Sequence, residues 1–426
     1  MTISLKIDKI GAQGDGLAAL ETGEHVFVEH GLADEIVDVD LKKTKDGLTR
    51  ASIKNIVKPS PNRQTPVCNH FEQCGGCQLQ HMKDDFYKSW KEQAIKELII
   101  DRIGYKPKFL PTIFTDSQTR RRATFTCIKR NNDLIIGFNQ RRSNHVFNLK
   151  ECPITLPELL EVKDSLRPYL MDILKTGKAC DLFLQKINND AQGYDMVLTG
   201  PIGEKTRDEL NVLQATADII HNTKVARISW RMRDRDNPEL LLEKNPLYAK
   251  FGTLNVKLPA LAFLQPSEQG EEALSNTMLQ MLQNFDTTPK TIADLFSGNG
   301  TFTGRLLESG INVTAFEIDN KSIKTLKTAG LQHAKQRDLF KAPVTCDELN
   351  QFDSLVLDPP RAGAKAQCQE IAMSDINEFI YVSCNPSSFA RDMNILSEDG
   401  FKIKQIRLVD QFPWTTHMEL VAHISK

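Results

Sequence analysis

The chain has 426 residues, a formal net charge of −1, 40% hydrophobic residues and 26% charged ones. That is enough sequence for about three domains with substantial cores, and the near-neutral balance excludes binding of nucleic acid through a global positive field, so any such partner must be met by local basic patches. No stretch approaches the apolar span of a membrane helix, and three of the nine cysteines crowd into ten residues, so the expectation is a cytoplasmic protein whose thiols serve metal binding or catalysis rather than disulfides.

Residues 1–57 read as short alternating strands near 4–9, 25–28, 35–41 and 51–57, broken by Gly11, Gly14-Asp-Gly16 and Gly31. The pattern predicts a small β-barrel of the OB-like kind that often binds oligonucleotides, although the same spacing fits a purely structural barrel. Pro59-Ser-Pro-Asn-Arg63 follows as a stiff linker. Next comes Cys68-x5-Cys74-Gly-Gly-Cys77, whose close thiols and backbone-freeing glycines predict a metal centre. The fourth ligand is missing locally. Cys152, followed by Pro153, is the best candidate if the centre is iron–sulfur, whereas His70 or His81 would complete a zinc site.

Residues 87–102 have helical periodicity around Trp90, Ala94, Leu98 and Ile99, and 120–149 alternate like β-hairpins. Arg120-Arg-Arg122, Lys129-Arg130 and Arg141-Arg142 interleave there with Phe125, Phe138 and Phe147, and Arg227-Ile-Ser-Trp-Arg-Met-Arg-Asp-Arg235 repeats the pattern. Such stretches can track phosphates while aromatics stack bases, or they can form a solvated sheet face.

From Thr291 onward strands and helices alternate, the mark of a doubly wound α/β sheet. Asp294-Leu-Phe-Ser-Gly298-Asn-Gly300 is a strand running into a glycine turn, with a helix opening near Thr301, and the next strand ends at Glu317, where an acid can take ribose hydroxyls. An acid ahead of the glycines suits a cationic sulfonium and amino-acid ligand better than a diphosphate, which points to S-adenosylmethionine. Three more pieces are expected near this ligand: Phe263-Leu-Gln265-Pro266 before a helix from Glu268, Asp358-Pro-Pro-Arg361 at a strand end, and His417-Met-Glu419 opening the last strand. A carboxylate entering an apolar strand is unfavourable unless paired or poised as a base, and the same spacing fits a strand-end acid left in solvent.

Residues 378–383 read as a buried strand stopped by Pro386, with Ser387 capping a helix to about Leu396. Cys384 therefore lies on a strand-to-helix turn, where helix amides favour thiolate. It is either a nucleophile or one more small buried residue.

Taken together and in order, Cys68-x5-Cys74-Gly-Gly-Cys77 with Cys152, Phe263-Leu-Gln265, Asp294-Leu-Phe-Ser-Gly298, Asp358-Pro-Pro-Arg361, Ser383-Cys384-Asn-Pro386 and His417-Met-Glu419 resemble the RNA 5-methyluridine (uracil-C5) methyltransferase family, in particular its iron–sulfur members that act on 23S rRNA. The resemblance implies Cys384 as nucleophile and Glu419 as the base for the C5 proton. It implies donor contacts at Gln265, Phe296, Glu317 and Asp358, with Thr301 and Asp338 aligned more loosely, and a [4Fe–4S] cluster on Cys68, Cys74, Cys77 and Cys152. It divides the chain into a TRAM-like barrel (1–58), a central α+β domain with the cluster and the basic strands (59–258) and a Rossmann-like class I methyltransferase domain (259–426). The implied partner is a looped or flipped uridine in RNA, with the enzyme as a monomer. One departure is Ser267, where the family usually has Asn. Alternatives are a transfer-RNA uracil-C5 enzyme or a non-catalytic RNA-binding iron–sulfur protein. Amino-group methyltransferases also use an Asp-Pro-Pro turn, but they need an aromatic where Arg361 stands.

Overall fold

Alternation of apolar and polar residues in the first sixty positions produces six strands, Thr2–Lys6, Lys9–Ile10, Gly16–Ala19, His25–Glu29, Ile36–Lys43 and Thr49–Lys58. The computed structural model describes residues 2–45, 47–187, 193–203 and 209–426. Pairing runs from Thr2–Lys6 through Ile36–Lys43, Thr49–Lys58, His25–Glu29 and Gly16–Ala19 to Lys9–Ile10. Between the first two strands the Ile7 amide donates to Glu35 O (2.9 Å) and the Asp8 amide to Leu17 O (2.8 Å), so this one stretch meets both edges and curls the sheet into a barrel-like form. Leu5, Ile7, Ala18, Val26, Val28, Val37, Val39 and Ala51 fill its core. The two glycine-flanked strands at the far edge carry too few residues to show alternation, which is why the sequence reads them as turns.

This sheet, the cysteine loop and a helix that begins at Asp84 form one unit, which runs to Glu97 and includes the distant loop Phe412–His417. The helix, Asp84–Ile103, starts earlier than its apolar stripe predicts because Asp84 and Asp85 favour the first turn. Leu98–Gln411 with Met418–Lys426 forms the second unit.

The second unit holds two large sheets. One orders Val146–Asn148, Asp133–Asn139, Arg122–Arg130, Ala179–Lys186, Tyr194–Thr199, Val225–Arg231 and Glu239–Glu243. Here the expected RNA-facing surface needs correction. Arg121 is 1% exposed and reaches Glu271 (2.5 Å). Arg227, 4% exposed, holds Asp195 (2.8 Å) and the carbonyls of Leu258 and Pro259. Phe125 is buried and stacks on Phe138 (5.2 Å), Phe147 is buried, and the Trp230 indole donates to Gly200 O (2.7 Å). Arg121, Arg227, Phe125 and Phe147 are core, because a guanidinium satisfied by a carboxylate and carbonyls can be buried where its sequence pattern reads as surface. Arg130, Arg142, Arg233 and Arg235 stay exposed.

The other sheet orders Ala334–Gln336, Asn312–Glu317, Thr291–Leu295, Ser354–Leu357, Glu378–Ser383, Glu419–Ser425, Lys402–Asp410 and Lys108–Phe109, with Ile113–Phe114 also on Lys402–Asp410. The first five are mutually parallel, and Glu419–Ser425 is antiparallel to both its neighbours. Helix Glu268–Leu282 lays Leu274, Met278 and Met281 on this sheet against Ile292, Val356, Ile380 and Val421. Among the described residues no helix is long and apolar enough to cross a membrane.

Candidate active site

Three loops converge on the carboxyl edge of the parallel strands. The first leaves Thr291–Leu295 through Phe296, Gly298 and Gly300, all with positive φ (64°, 55° and 92°), into the helix Thr301–Glu308. A left-handed Phe is strained, and such strain collects where a site requires it. A Cβ added at Gly298 would meet nothing within 4 Å, so open space faces this turn. Glu317, ending Asn312–Glu317, accepts the amides of Gly298 (2.9 Å) and Asp319 (2.9 Å), which fixes the acid beside the glycine turn as its spacing predicts. Phe296 packs on Phe340 (5.4 Å), whose amide is accepted by Asp338 Oδ1 (3.1 Å). Thr301 is the first residue of its helix.

The second loop is Asp358-Pro-Pro-Arg361 and the third holds Cys384. Asn385 joins them, its Nδ2 donating to Arg361 O (2.9 Å). The predicted cap is corrected by two residues: Asn385, not Ser387, caps the helix Pro386–Ser397, accepting from the Ser387 amide (3.1 Å), and Pro386 is its first residue. Glu419 lies at the same edge because its strand runs antiparallel, Ser383 pairing with Leu420.

The electrostatics of this edge are dominated by buried acids. Burial, with the nearby carboxylates of Glu419 and Asp294, holds Asp358 well above the usual carboxylate range. Burial raises Asp294 to about 7 against the hydroxyl of Thr303, and its Oδ1 is buried without a hydrogen bond. Burial raises Glu419 to about 7, opposed by Gln411 and by the Arg361 charge. Cys384 is pushed up to about 11 by burial and then by Glu419 and Asp358, with Arg361 opposing. The expectation that helix amides favour its thiolate is thus overturned in the ligand-free site, where desolvation and two carboxylates outweigh the helix end. Acids crowded against their own repulsion fit a cationic ligand, and the open space at Gly298 fits its approach.

Gln265 is 6% exposed, its carbonyl accepting from Arg121 Nε (2.9 Å) and its Oε1 from Gln411 Nε2 (2.8 Å). Gln411 Nε2 also lies 3.2 Å from Glu419 Oε1. The sequence carries no signal for Gln411 or Thr303, since neither lies in a motif, and Arg121 reads there as part of a basic surface stretch. Ser267 caps the helix Glu268–Leu282, accepting from the Gly270 amide (3.0 Å), which is a task that Asn performs as well.

The candidate metal residues divide between the units. Cys68, Cys74 and Cys77 share one loop, with Cys68 and Cys77 each 9% exposed, while Cys152 belongs to the second unit. The Gly76 amide donates to Cys74 Sγ (3.4 Å) and the Thr155 hydroxyl to Cys152 Sγ (3.3 Å). Among the described residues no group of three or more His, Cys, Asp or Glu side chains is gathered where it could hold a metal ion. His81 is buried in ring contact with His30 (5.3 Å) and Phe71 (5.8 Å).

A sheet of parallel strands with one antiparallel strand inserted, an acid and glycine turn after its first strand and a second acid ending the next describes a methyltransferase of the S-adenosylmethionine-dependent kind. The transfer-RNA (uracil-54, C5)-methyltransferase of Pyrococcus abyssi, solved with S-adenosyl-L-homocysteine, superimposes with a TM-score of 0.73 over 99% of each chain at 20% identity, a likeness of fold. Residues 311–426 match the tRNA (uracil-5-)-methyltransferase family and residues 1–54 the TRAM domain. An RNA methyltransferase of Agrobacterium fabrum is 34% identical over the whole of both chains. The 23S rRNA (uracil(1939)-C(5))-methyltransferase RlmD of Photorhabdus laumondii is 29% identical, covering all of this chain and 96% of its own. The chain belongs to the RNA uracil-C5 methyltransferase family.

Proposed function

We propose that the protein methylates C5 of a uridine in RNA, the substrate being 23S rRNA, and that it acts as a monomer. The observation that carries the reading is that Cys384 and Glu419 leave neighbouring strands at one sheet edge, beside acids that suit a sulfonium cation.

Uracil C5 is a poor carbon nucleophile, so the residues must first make it one. Cys384 Sγ adds to C6, its proton passing to water, and the C5=C6 electron pair moves onto O4 as an enolate. When bound, S-adenosylmethionine would supply an electrophilic methyl, which C5 of the enolate takes, the C5–CH3 bond forming as the sulfonium S–CH3 bond breaks and its electron pair stays on sulfur. Glu419 then takes the C5 proton, and the C5–H pair rebuilds C5=C6 as the C6–S bond breaks and returns the thiolate. Asp358 and Glu317 would hold the donor's polar groups, with Gln265 and Phe296 beside them and Thr301 and Asp338 at the rim. A cationic donor next to Asp358 offsets the field that keeps Cys384 protonated, so nucleophile activation is coupled to donor binding. Attack above the ring plane requires an unstacked base, which makes a loop or flipped uridine the substrate. The barrel and the exposed arginines would hold the surrounding RNA.

Cys68, Cys74, Cys77 and Cys152 would hold a [4Fe–4S] cluster. C5 methylation is redox-neutral, so the cluster would act by ordering its loop.

The test uses anaerobically purified protein, cellular RNA lacking the modification and S-adenosylmethionine labelled in the methyl group. Label in 5-methyluridine of the large ribosomal RNA is the expected result. Label in 5-methyluridine of transfer RNA would change the substrate, and label in another nucleoside would overturn the reaction.

A further inference from the structure

We infer that Gln411 is a positioning residue for Glu419, clamping its carboxylate in place by a buried hydrogen-bond line that starts at Arg121 and passes through Gln265. The inference rests on the reading of Glu419 as the base.

Gln411 is 3% exposed and follows the strand Lys402–Asp410, whose Val409 pairs with Glu419. Its Nε2 stands 2.8 Å from Gln265 Oε1 and 3.2 Å from Glu419 Oε1. A carboxylate only accepts, so the nitrogen must face Glu419, and its two hydrogens are spent on these two partners. Gln265 is itself fixed, because Arg121 Nε donates to its carbonyl (2.9 Å) while the other end of that guanidinium is held by Glu271 (2.5 Å).

The room for this clamp is made by Gly270, in the first turn of Glu268–Leu282. A Cβ there would lie 2.3 Å from Gln411 Oε1 and 2.8 Å from Gln411 Cβ, so any side chain at 270 displaces the amide. The charged and titratable groups facing Glu419 are Asp358, Cys384 and Arg361. Burial disfavours its charge and Arg361 favours it, and Gln411 is the neutral donor that favours it and also fixes its direction. Without the amide, the carboxyl would hold its proton to higher pH and turn away from the C5 hydrogen.

The test compares wild type with Gln411→Leu and Gly270→Ala. It follows methyl transfer in a single turnover, the fraction of protein covalently joined to RNA, and the pH midpoint of product release. A hydrogen bond to a charged group predicts release slower by about 10- to 100-fold at pH 7 in Gln411→Leu, covalent adduct accumulating, and the midpoint moved up by about one to two pH units. Gly270→Ala should move the midpoint the same way with the amide intact, and it decides the matter if Gln411→Leu does not fold. A purely structural role would lower the melting temperature and leave the midpoint of release unchanged, and that outcome overturns the inference. Glu419→Gln run in parallel separates the two readings. If it stalls release while both other variants retain the wild-type midpoint, only the positioning role fails; if it releases product normally, Glu419 is not the base.

Discussion

Ser383 pairs with Leu420 across two antiparallel strands, and this single register brings Cys384 and Glu419 to the same edge of the sheet. One residue ends a strand and the other begins one, so in an all-parallel sheet they would stand at opposite edges.

Cys384→Ala should lower turnover by at least about 10³-fold while RNA affinity and melting temperature hardly change, since the thiol is half-buried and small. Steady-state methyl incorporation beside a filter-binding titration checks this, and appreciable methyl transfer would remove Cys384 as nucleophile.

Glu419→Gln should allow methylation but stall elimination, slowing release by about 10² to 10⁴. The measurement is a denaturing gel, on which protein and labelled RNA should migrate together. Free product at the wild-type rate would assign the base elsewhere.

The raised acids make a statement about pH. Glu419 and Asp294 stand near 7 when folded, above their ordinary values of 4.5 and 3.8, so between those limits the folded chain binds more protons than the unfolded one. Stability from these groups is full below pH 4 and is lost as pH rises through 7. The ligand-free protein should therefore gain less from S-adenosylmethionine at pH 6 than at pH 8, where the unprotonated acids repel one another and welcome a cation. Melting curves at the two pH values decide it, and equal donor-induced shifts would mean that the acids do not meet the charge.

Arg227→Ala should cost about 3–5 kcal/mol of stability, because it leaves Asp195 buried without its guanidinium, yet the salt dependence of RNA binding should be unchanged. Arg142→Ala and Arg233→Ala should do the reverse, weakening RNA binding and reducing the salt slope by about one each if each meets a phosphate. Denaturant unfolding and binding titrations at several ionic strengths separate the two groups.

Cys74→Ser should abolish the brown absorbance of anaerobically purified protein and loosen the loop Phe412–His417. The connection is local: the amides of Gln78 and Leu79 both donate to Trp414 O (2.8 and 3.0 Å), and Trp414 is held at a φ of 55°. Hydrogen exchange should quicken across residues 412–417. Unchanged iron content would exclude Cys74 as a ligand.

The alternating strands, the glycine turn and the strand-to-helix turn at Cys384 were all legible in the chain, because each is dictated by contacts within a few residues: pleat period, positive φ and a helix cap. Asp358 and Glu317 could be placed at strand ends for the same reason. What the chain could not reveal was which basic residues turn inward, since Arg121 and Arg227 are buried by partners that lie far along the sequence. Nor could it reveal the antiparallel placement of the last strand, Gln411 as the link between Gln265 and Glu419, or that Cys384 stays protonated beside two carboxylates. Burial, field and register are sums over neighbours that only the folded chain assembles, and they decide which of the sequence's many polar residues can meet one base.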